Sequence, residues 1–224
     1  MPDYGSPYEK SRMYELHRLI PDGPGLAVEI GCNRGLTTEL LAEHGWTAIG
    51  YDIAEDVIAA GKKRTADMDL RVGDVCAALK QVGQADLVMA LEVIEHLEKE
   101  AQARFVAELA RLTKPGGALL LSTPGRHSFW SYFERIKNRS WSSYNWWDDS
   151  HKYVLSLREI RALLTASGFD IEQTVGFCYL MPRLVRPFAV RRGPLVGAGF
   201  DLLFFARRRS CNDEQLDTNK LMSL

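Results

Sequence analysis

Apolar and polar positions alternate in two rhythms along this chain. Short apolar runs at 26–30, 47–51, 70–72, 85–90 and 118–122 have strand character, and 85–90 is the strongest. Between them the spacing predicts helices at 36–44, 54–65 and 99–113. Gly45 closes the first of these, and Pro115-Gly116-Gly117 ends the last. A further helix at 8–20 precedes the first strand, with Tyr8, Met13, Leu16, Leu19 and Ile20 roughly on one face, and Pro21 to Gly25 breaks it. Short apolar strands alternating with helices imply a parallel sheet covered by helices on both faces.

After the fifth strand the rhythm is lost. Residues 125–152 are polar and aromatic without a period, and carry Phe129, Trp130, Tyr132, Phe133, Trp141, Tyr144, Trp146 and Trp147. Such density suits a substrate lid over an apolar or ring-bearing molecule. A helix at 156–167, capped by Gly168, and a strand at 169–175 follow. An Arg-rich connection over about 176–198 leads to a final strand at 200–206. The expected organisation is a single domain over 1–209 with a disordered polar tail at 210–224.

Composition narrows the class. With 224 residues, 46% hydrophobic and 25% charged, the chain is globular rather than disordered or fibrous. No apolar run reaches the length of a membrane span, and residues 1–7 lack the apolar core of a signal peptide. Cys32, Cys76, Cys178 and Cys211 are too scattered for metal-ligand spacing, so a reducing cytoplasmic setting is expected. The net charge of −1 argues against a nucleic-acid partner. Locally, Arg183, Arg186, Arg191, Arg192, Arg207, Arg208 and Arg209 face Asp201 alone, a net +6. This patch suits an anionic substrate or lipid headgroups. Residues 179–195 mix apolar side chains with arginine and admit peripheral contact with an anionic membrane.

Open α/β sheets bind ligands at the carboxyl ends of their strands. After the first strand stands Glu29-Ile30-Gly31-Cys32-Asn33-Arg34-Gly35, a loop whose glycines permit a tight turn and close backbone approach. Asn33 tolerates a left-handed backbone better than most residues. After the second strand Asp52, 21 residues past Gly31 and followed by Ile53, is placed to bind ribose hydroxyls. After the third, Asp74 can accept from an adenine amino group while the Val75 N–H donates. Either aspartate alone also reads as a helix N-cap. Leu91 closes the fourth strand and leads into Glu92-Val93-Ile94-Glu95-His96-Leu97.

These residues carry a resemblance to the class I S-adenosylmethionine-dependent methyltransferases. Their acid-x-Gly-x-Gly-x-Gly loop is matched at Glu29, Gly31 and Gly35, with Asn33 at the middle glycine, and the Lys114-Pro115-Gly116-Gly117 turn is also typical. The resemblance covers about residues 25–175. It implies a Rossmann-like, seven-stranded, mostly parallel sheet with an antiparallel last strand, and S-adenosyl-L-methionine as cofactor. Glu29 suits the cofactor's cationic amino group or sulfonium and would repel a pyrophosphate, which disfavours the alternative of an NAD-dependent oxidoreductase. A catalytically inactive cofactor-binding scaffold is a further alternative.

Methyl transfer to a hydroxyl needs a base, and His96 and His151 are the candidates. If a helix starts at Glu92, Glu92 and Glu95 share a face with His96 nearby, and with His151 they form a mixed oxygen and nitrogen set for Mg²⁺ or Mn²⁺. The segment resembles two family branches. One is the ubiquinone-pathway O-methyltransferases, implying a small or lipid-linked hydroxylated acceptor. The other is the metal-dependent RNA 3′-terminal 2′-O-methyltransferases.

Overall fold

The computed structural model describes residues 7–128, 150–178 and 188–210. Most of the aromatic insert, residues 179–187 of the Arg-rich connection and the tail beyond 210 lie outside the described residues. The elements run in the order α1 (Pro7–Leu19), β1 (Leu26–Ile30), α2 (Leu36–Glu43), β2 (Thr47–Asp52), α3 (Glu55–Arg64), β3 (Asp69–Val72), α4 (Val75–Val82) and β4 (Ala85–Leu91). Then follow a short 3₁₀ turn (Ile94–His96), α5 (Lys99–Leu112), β5 (Thr113–Pro124) and α6 (Leu157–Ala166). The chain closes with β6 (Phe169–Cys178), β7 (Phe188–Val190), a second 3₁₀ turn (Pro194–Ala198) and β8 (Asp201–Arg208).

All eight strands form one sheet in the order β3-β2-β1-β4-β5-β8-β6-β7. The first five in sequence pair in parallel, and β8, β6 and β7 are antiparallel. The strand order reverses between β1 and β4, where doubly wound sheets open a crevice for a ligand. Two buried layers explain the continuous apolar runs. In β4, Val88 and Ala90 join the layer under α5 and α6, while Leu87 and Met89 join the layer under α1 and α2. Both faces are covered, so every position of the strand must be apolar.

Three features depart from the sequence expectation. The sheet has eight strands rather than seven, because Phe188–Val190 adds a three-residue edge to β6 through Gly176, Phe177 and Cys178. A helix, α4, occupies the stretch after Asp74, whose Oδ1 accepts the Ala77 N–H at 2.8 Å as its N-cap. The strand β5 begins at Thr113 and passes through the Pro-Gly-Gly turn as an irregularity. Its register with β4 jumps from Ala85↔Thr113 to Leu87↔Ala118, and Lys114 clasps Asp86 at 2.8 and 2.9 Å across the bulge.

The basic patch also divides. Arg207 and Arg208 lie at the far end of β8, paired in register with Ala118, Asp170 and Phe169, whereas Arg191 follows β7 near the other end of the sheet. Arg207 binds Glu172, Arg209 binds Asp170, and Arg191 binds the buried Glu15 of α1. The antiparallel turn of β8 thus separates charges that are neighbours in sequence. No helix among the described residues is long and apolar enough to cross a membrane.

Helix α6 starts with a capping box: Ser156 Oγ accepts the Glu159 N–H at 3.3 Å, and Glu159 accepts the Ser156 N–H at 2.8 Å. The Ser156 hydroxyl, Tyr153 hydroxyl and Arg126 also bind Glu159 and, despite its partial burial, hold its carboxyl down to about 2. That stabilisation is present above the ordinary carboxylate range and is lost as pH falls through it towards 2. Ser156→Ala should cost about 1 kcal/mol in chemical denaturation at neutral pH.

Candidate active site

The loop between β1 and α2 is bent by three left-handed residues, Gly31 (φ 77°), Asn33 (φ 51°) and Gly35 (φ 80°). Asparagine at the middle position therefore adopts the backbone that glycine supplies elsewhere. A Cβ on Gly31 would stand 2.3 Å from Val93 Cγ2, so this position is closed to side chains on steric grounds as well. The loop is tied to the neighbouring strand. The N–H groups of Gly31 and Cys32 both donate to the Tyr51 carbonyl, at 2.7 and 3.0 Å. Asn33 N–H donates to Asp52 Oδ2 at 2.9 Å, and Ala54 N–H donates to Oδ1 at 2.9 Å.

Asp52 therefore stands at the carboxyl edge with one backbone donor on each oxygen and a further lone pair on each. Ile53 beside it is 78% exposed, and Val72, the register partner of Asp52, is 48% exposed. Two exposed apolar side chains flanking a carboxylate form a surface on which a flat ring can lie. Asp74 keeps Oδ2 outside its capping bond, and the N–H of Val75 is among the first-turn donors of α4. Leu91 is half-buried at the end of β4.

Glu29 differs from its expected role. Its carboxyl is 1% exposed and accepts from the hydroxyls of Thr37 and of Thr38, the latter at 2.5 Å. It is a buried anchor beneath the first turn of α2 rather than a charge displayed to a ligand. Burial raises it to about 7, against the lowering influence of the two threonines.

After β4 the chain turns through Glu92, at φ 54°, before the 3₁₀ turn. The helix expected to start at Glu92 is absent, and the two glutamates part company. Glu92 accepts from Ser122 Oγ at 2.5 Å and from Arg12 at 3.2 Å. Arg12, on α1, also bonds Ser122 at 3.1 Å and lies 3.8 Å from Asp201. Sequence reasoning missed Arg12, because nothing in the period of α1 distinguishes it from a solvated arginine.

Glu95, His96 and His151 do come together. One potential ligand atom from each lies within 4.8 Å of the others, and Glu92 is outside this group. The imidazole centroids are 5.0 Å apart. The main chain makes the meeting: the N–H groups of Lys152 and Tyr153 donate to the Glu95 carbonyl at 2.8 and 3.2 Å, drawing His151 beside it. Gln102 bonds the carbonyls of Ile94 and Tyr153 at 3.0 and 2.7 Å and fastens both segments to α5. His96 is exposed, with Nδ1 3.1 Å from Ser150 Oγ. Both carboxyl oxygens of Glu95 are buried without a hydrogen-bond partner among the described residues. Burial, then repulsion from Glu92 and Asp201, raises this carboxyl well above its ordinary range.

Comparison with known proteins is consistent with this geometry. A family model described as a methyltransferase domain matches residues 10–174. A probable S-adenosylmethionine-dependent methyltransferase of Mycolicibacterium smegmatis is 32% identical over 149 residues, 66% of this chain and 53% of that protein. A ubiquinone biosynthesis O-methyltransferase of Methylococcus capsulatus is 34% identical over 105 residues, 45% of this chain and 44% of that one. The chain thus matches about half the length of these curated relatives. Among solved structures, a methyltransferase of Archaeoglobus fulgidus superposes with a TM-score of 0.67 at 20% identity, covering 91% of this chain and 95% of that one. The magnesium protoporphyrin IX methyltransferase of Synechocystis, with bound S-adenosylhomocysteine, gives 0.64 at 18% identity, covering 90% and 85%.

Because Glu29 holds its proton more tightly when folded, its contribution to stability is full below the ordinary carboxylate range. It is lost as pH rises towards about 7. Glu29→Gln should flatten the fall in stability across that window, measured by urea unfolding from pH 4.5 to 7.5 (roughly the carboxylate-to-neutral range). An unchanged pH profile would show that the carboxyl is ionised in place.

Proposed function

We propose a function from a fixed premise: the chain belongs to the class I S-adenosylmethionine-dependent methyltransferases. It transfers the methyl group of S-adenosylmethionine to a hydroxyl of a small or lipid-linked acceptor. The observation that carries this reading is the Glu95, His96 and His151 cluster just beyond the carboxyl end of β4, in the segment whose Val93 packs on Gly31. The ubiquinone-pathway relative supports the choice of oxygen.

The cofactor is bound by residues whose free capacity fits it. The bent backbone at Gly31, Cys32, Asn33 and Gly35 gives the methionine portion close approach. Asp52 receives the ribose hydroxyls on its remaining lone pairs, and Ile53 supports the adenine face. Asp74 accepts the adenine amino group, the Val75 N–H donates to the ring, and Leu91 borders the reactive end. The cofactor supplies an activated methyl carbon with a neutral thioether as leaving group. The acceptor oxygen bonds to that carbon as the carbon–sulfur bond breaks and its electron pair passes to sulfur. The chain must align the acceptor, exclude water and remove the proton.

His96 takes that proton. Ser150 holds its Nδ1, leaving Nε2 for the acceptor. His151 packs against its ring, and a carboxyl oxygen of Glu95 within 4.8 Å of both imidazoles is an acceptor partner for the imidazolium that forms. The same three side chains support a second reading, a divalent ion that lowers the hydroxyl pKa. A buried carboxyl without a hydrogen-bond partner among the described residues, together with two imidazoles, suits Mn²⁺ better than Mg²⁺, which prefers an all-oxygen set. The RNA-terminal variant of this reading is disfavoured by the slightly negative chain and the divided arginines.

Methyl-labelled cofactor should transfer label to catechol and not to the matched diamine. His96→Ala and His151→Ala should lower kcat by roughly 10²–10⁴-fold while leaving S-adenosylhomocysteine affinity unchanged. Label on nitrogen alone would contradict oxygen transfer. Stimulation by Mn²⁺ that Glu95→Gln abolishes would support the metal reading, and indifference to Mn²⁺ and chelator would remove it.

A further inference from the structure

A groove of about 650 Å³ shares none of its described lining residues with the cofactor crevice. Its walls include His127, the start of α6 at Leu157 and Arg158, Arg161 one turn on, and Gly197 and Ala198 of the second 3₁₀ turn. That turn leads into β8 at Asp201, the register partner of Pro124 at the end of β5. The groove therefore belongs to the carboxyl edge of the sheet, the edge that carries the candidate active site.

Its charge is one-sided. No carboxylate lines it among the described residues. Glu159, on the same helix, is engaged by Arg126 at 3.0 Å, by Tyr153 and by Ser156. Arg158 makes no hydrogen bond or ion pair among the described residues. Arg161 gives one N–H to Thr174 Oγ1 at 3.3 Å and meets no carboxylate there. Two guanidinium groups three residues apart on a helix are neighbours and repel each other when nothing neutralises them. Arg158 stands in the first turn, at the positive end of the α6 dipole, and Leu157, Gly197 and Ala198 add apolar surface to the lining.

We propose that this groove binds an acidic group, carboxylate or phosphate, carried on an apolar stem of the methyl acceptor. The inference rests on the transferase reading above and names the acceptor class. Ser156 at the groove lies five positions along the chain from His151. A fully extended chain covers at most about 18 Å over that interval, so the main chain that carries His151 reaches the groove wall within that span.

The test is ligand-observed titration of the full chain with benzoate, benzamide, phenyl phosphate and inorganic phosphate. Phenyl phosphate or benzoate should bind more tightly than benzamide, and phenyl phosphate more tightly than inorganic phosphate, since the stem adds apolar contact. Arg158→Gln and Arg161→Gln should each weaken anion binding by roughly tenfold, and added salt should weaken it further. Whichever of phenyl phosphate and benzoate is preferred identifies the acidic group. Equal binding of benzoate and benzamide, or anion affinity indifferent to both arginine variants, would overturn the proposal. S-adenosylhomocysteine affinity reports the integrity of each variant, and both arginines are exposed on the helix surface. Failure of the unaltered chain to bind S-adenosylhomocysteine would instead count against the transferase reading.

Discussion

One carbonyl organises the cofactor end of this protein. Tyr51, at the end of β2, receives the N–H groups of both Gly31 and Cys32. To reach it, the chain leaving β1 must turn within a few residues, which requires the left-handed backbone of Gly31 and Asn33. The turn starts α2 at once, with Glu29 buried beneath it on Thr37 and Thr38. It also delivers the Asn33 N–H to Asp52, fixing a half-buried carboxylate suited to a ribose. Loop, helix start and carboxylate are consequences of a single latch between two parallel strands.

The acceptor side rests on a second main-chain contact, made over a longer sequence interval. The Glu95 carbonyl captures Lys152 and Tyr153 and so sets His151 against His96. Beneath them lies a buried carboxyl with no hydrogen-bond partner among the described residues. Such an arrangement costs stability. Its place beside two imidazoles, at the carboxyl end of a central strand, makes a chemical use the simplest physical reason for keeping it.

The parallel half of the sheet was legible because strands buried on both faces leave continuous apolar runs. The place of Asp52 at the carboxyl end of β2 was legible from its interval to Gly31, and the left-handed Asn33 from the tolerance of its side chain. Other features were hidden by the physics that creates them. Helix α4 was hidden because it is only eight residues long, although Asp74 at its start also reads as an N-cap. β7 is three residues long and is defined by pairing with β6 rather than by its own pattern. Glu92 and Glu95 share a face only if a helix begins there, and the left-handed Glu92 sends its carboxyl to Arg12 instead. Neither Arg12 nor Ser150 carries a periodic signal, since each matters through a contact with residues distant in sequence.

If the latch between β1 and β2 builds the site for S-adenosylmethionine, loss of the carboxylate it positions must weaken binding of that cofactor's product. Isothermal titration with S-adenosylhomocysteine, comparing the unaltered chain with Asp52→Ala, tests it most directly. Saturable one-to-one binding is expected, weakened roughly tenfold or more in the variant as charge-assisted bonds to the ribose are lost. No binding by the unaltered chain, or equal binding by both, would contradict it.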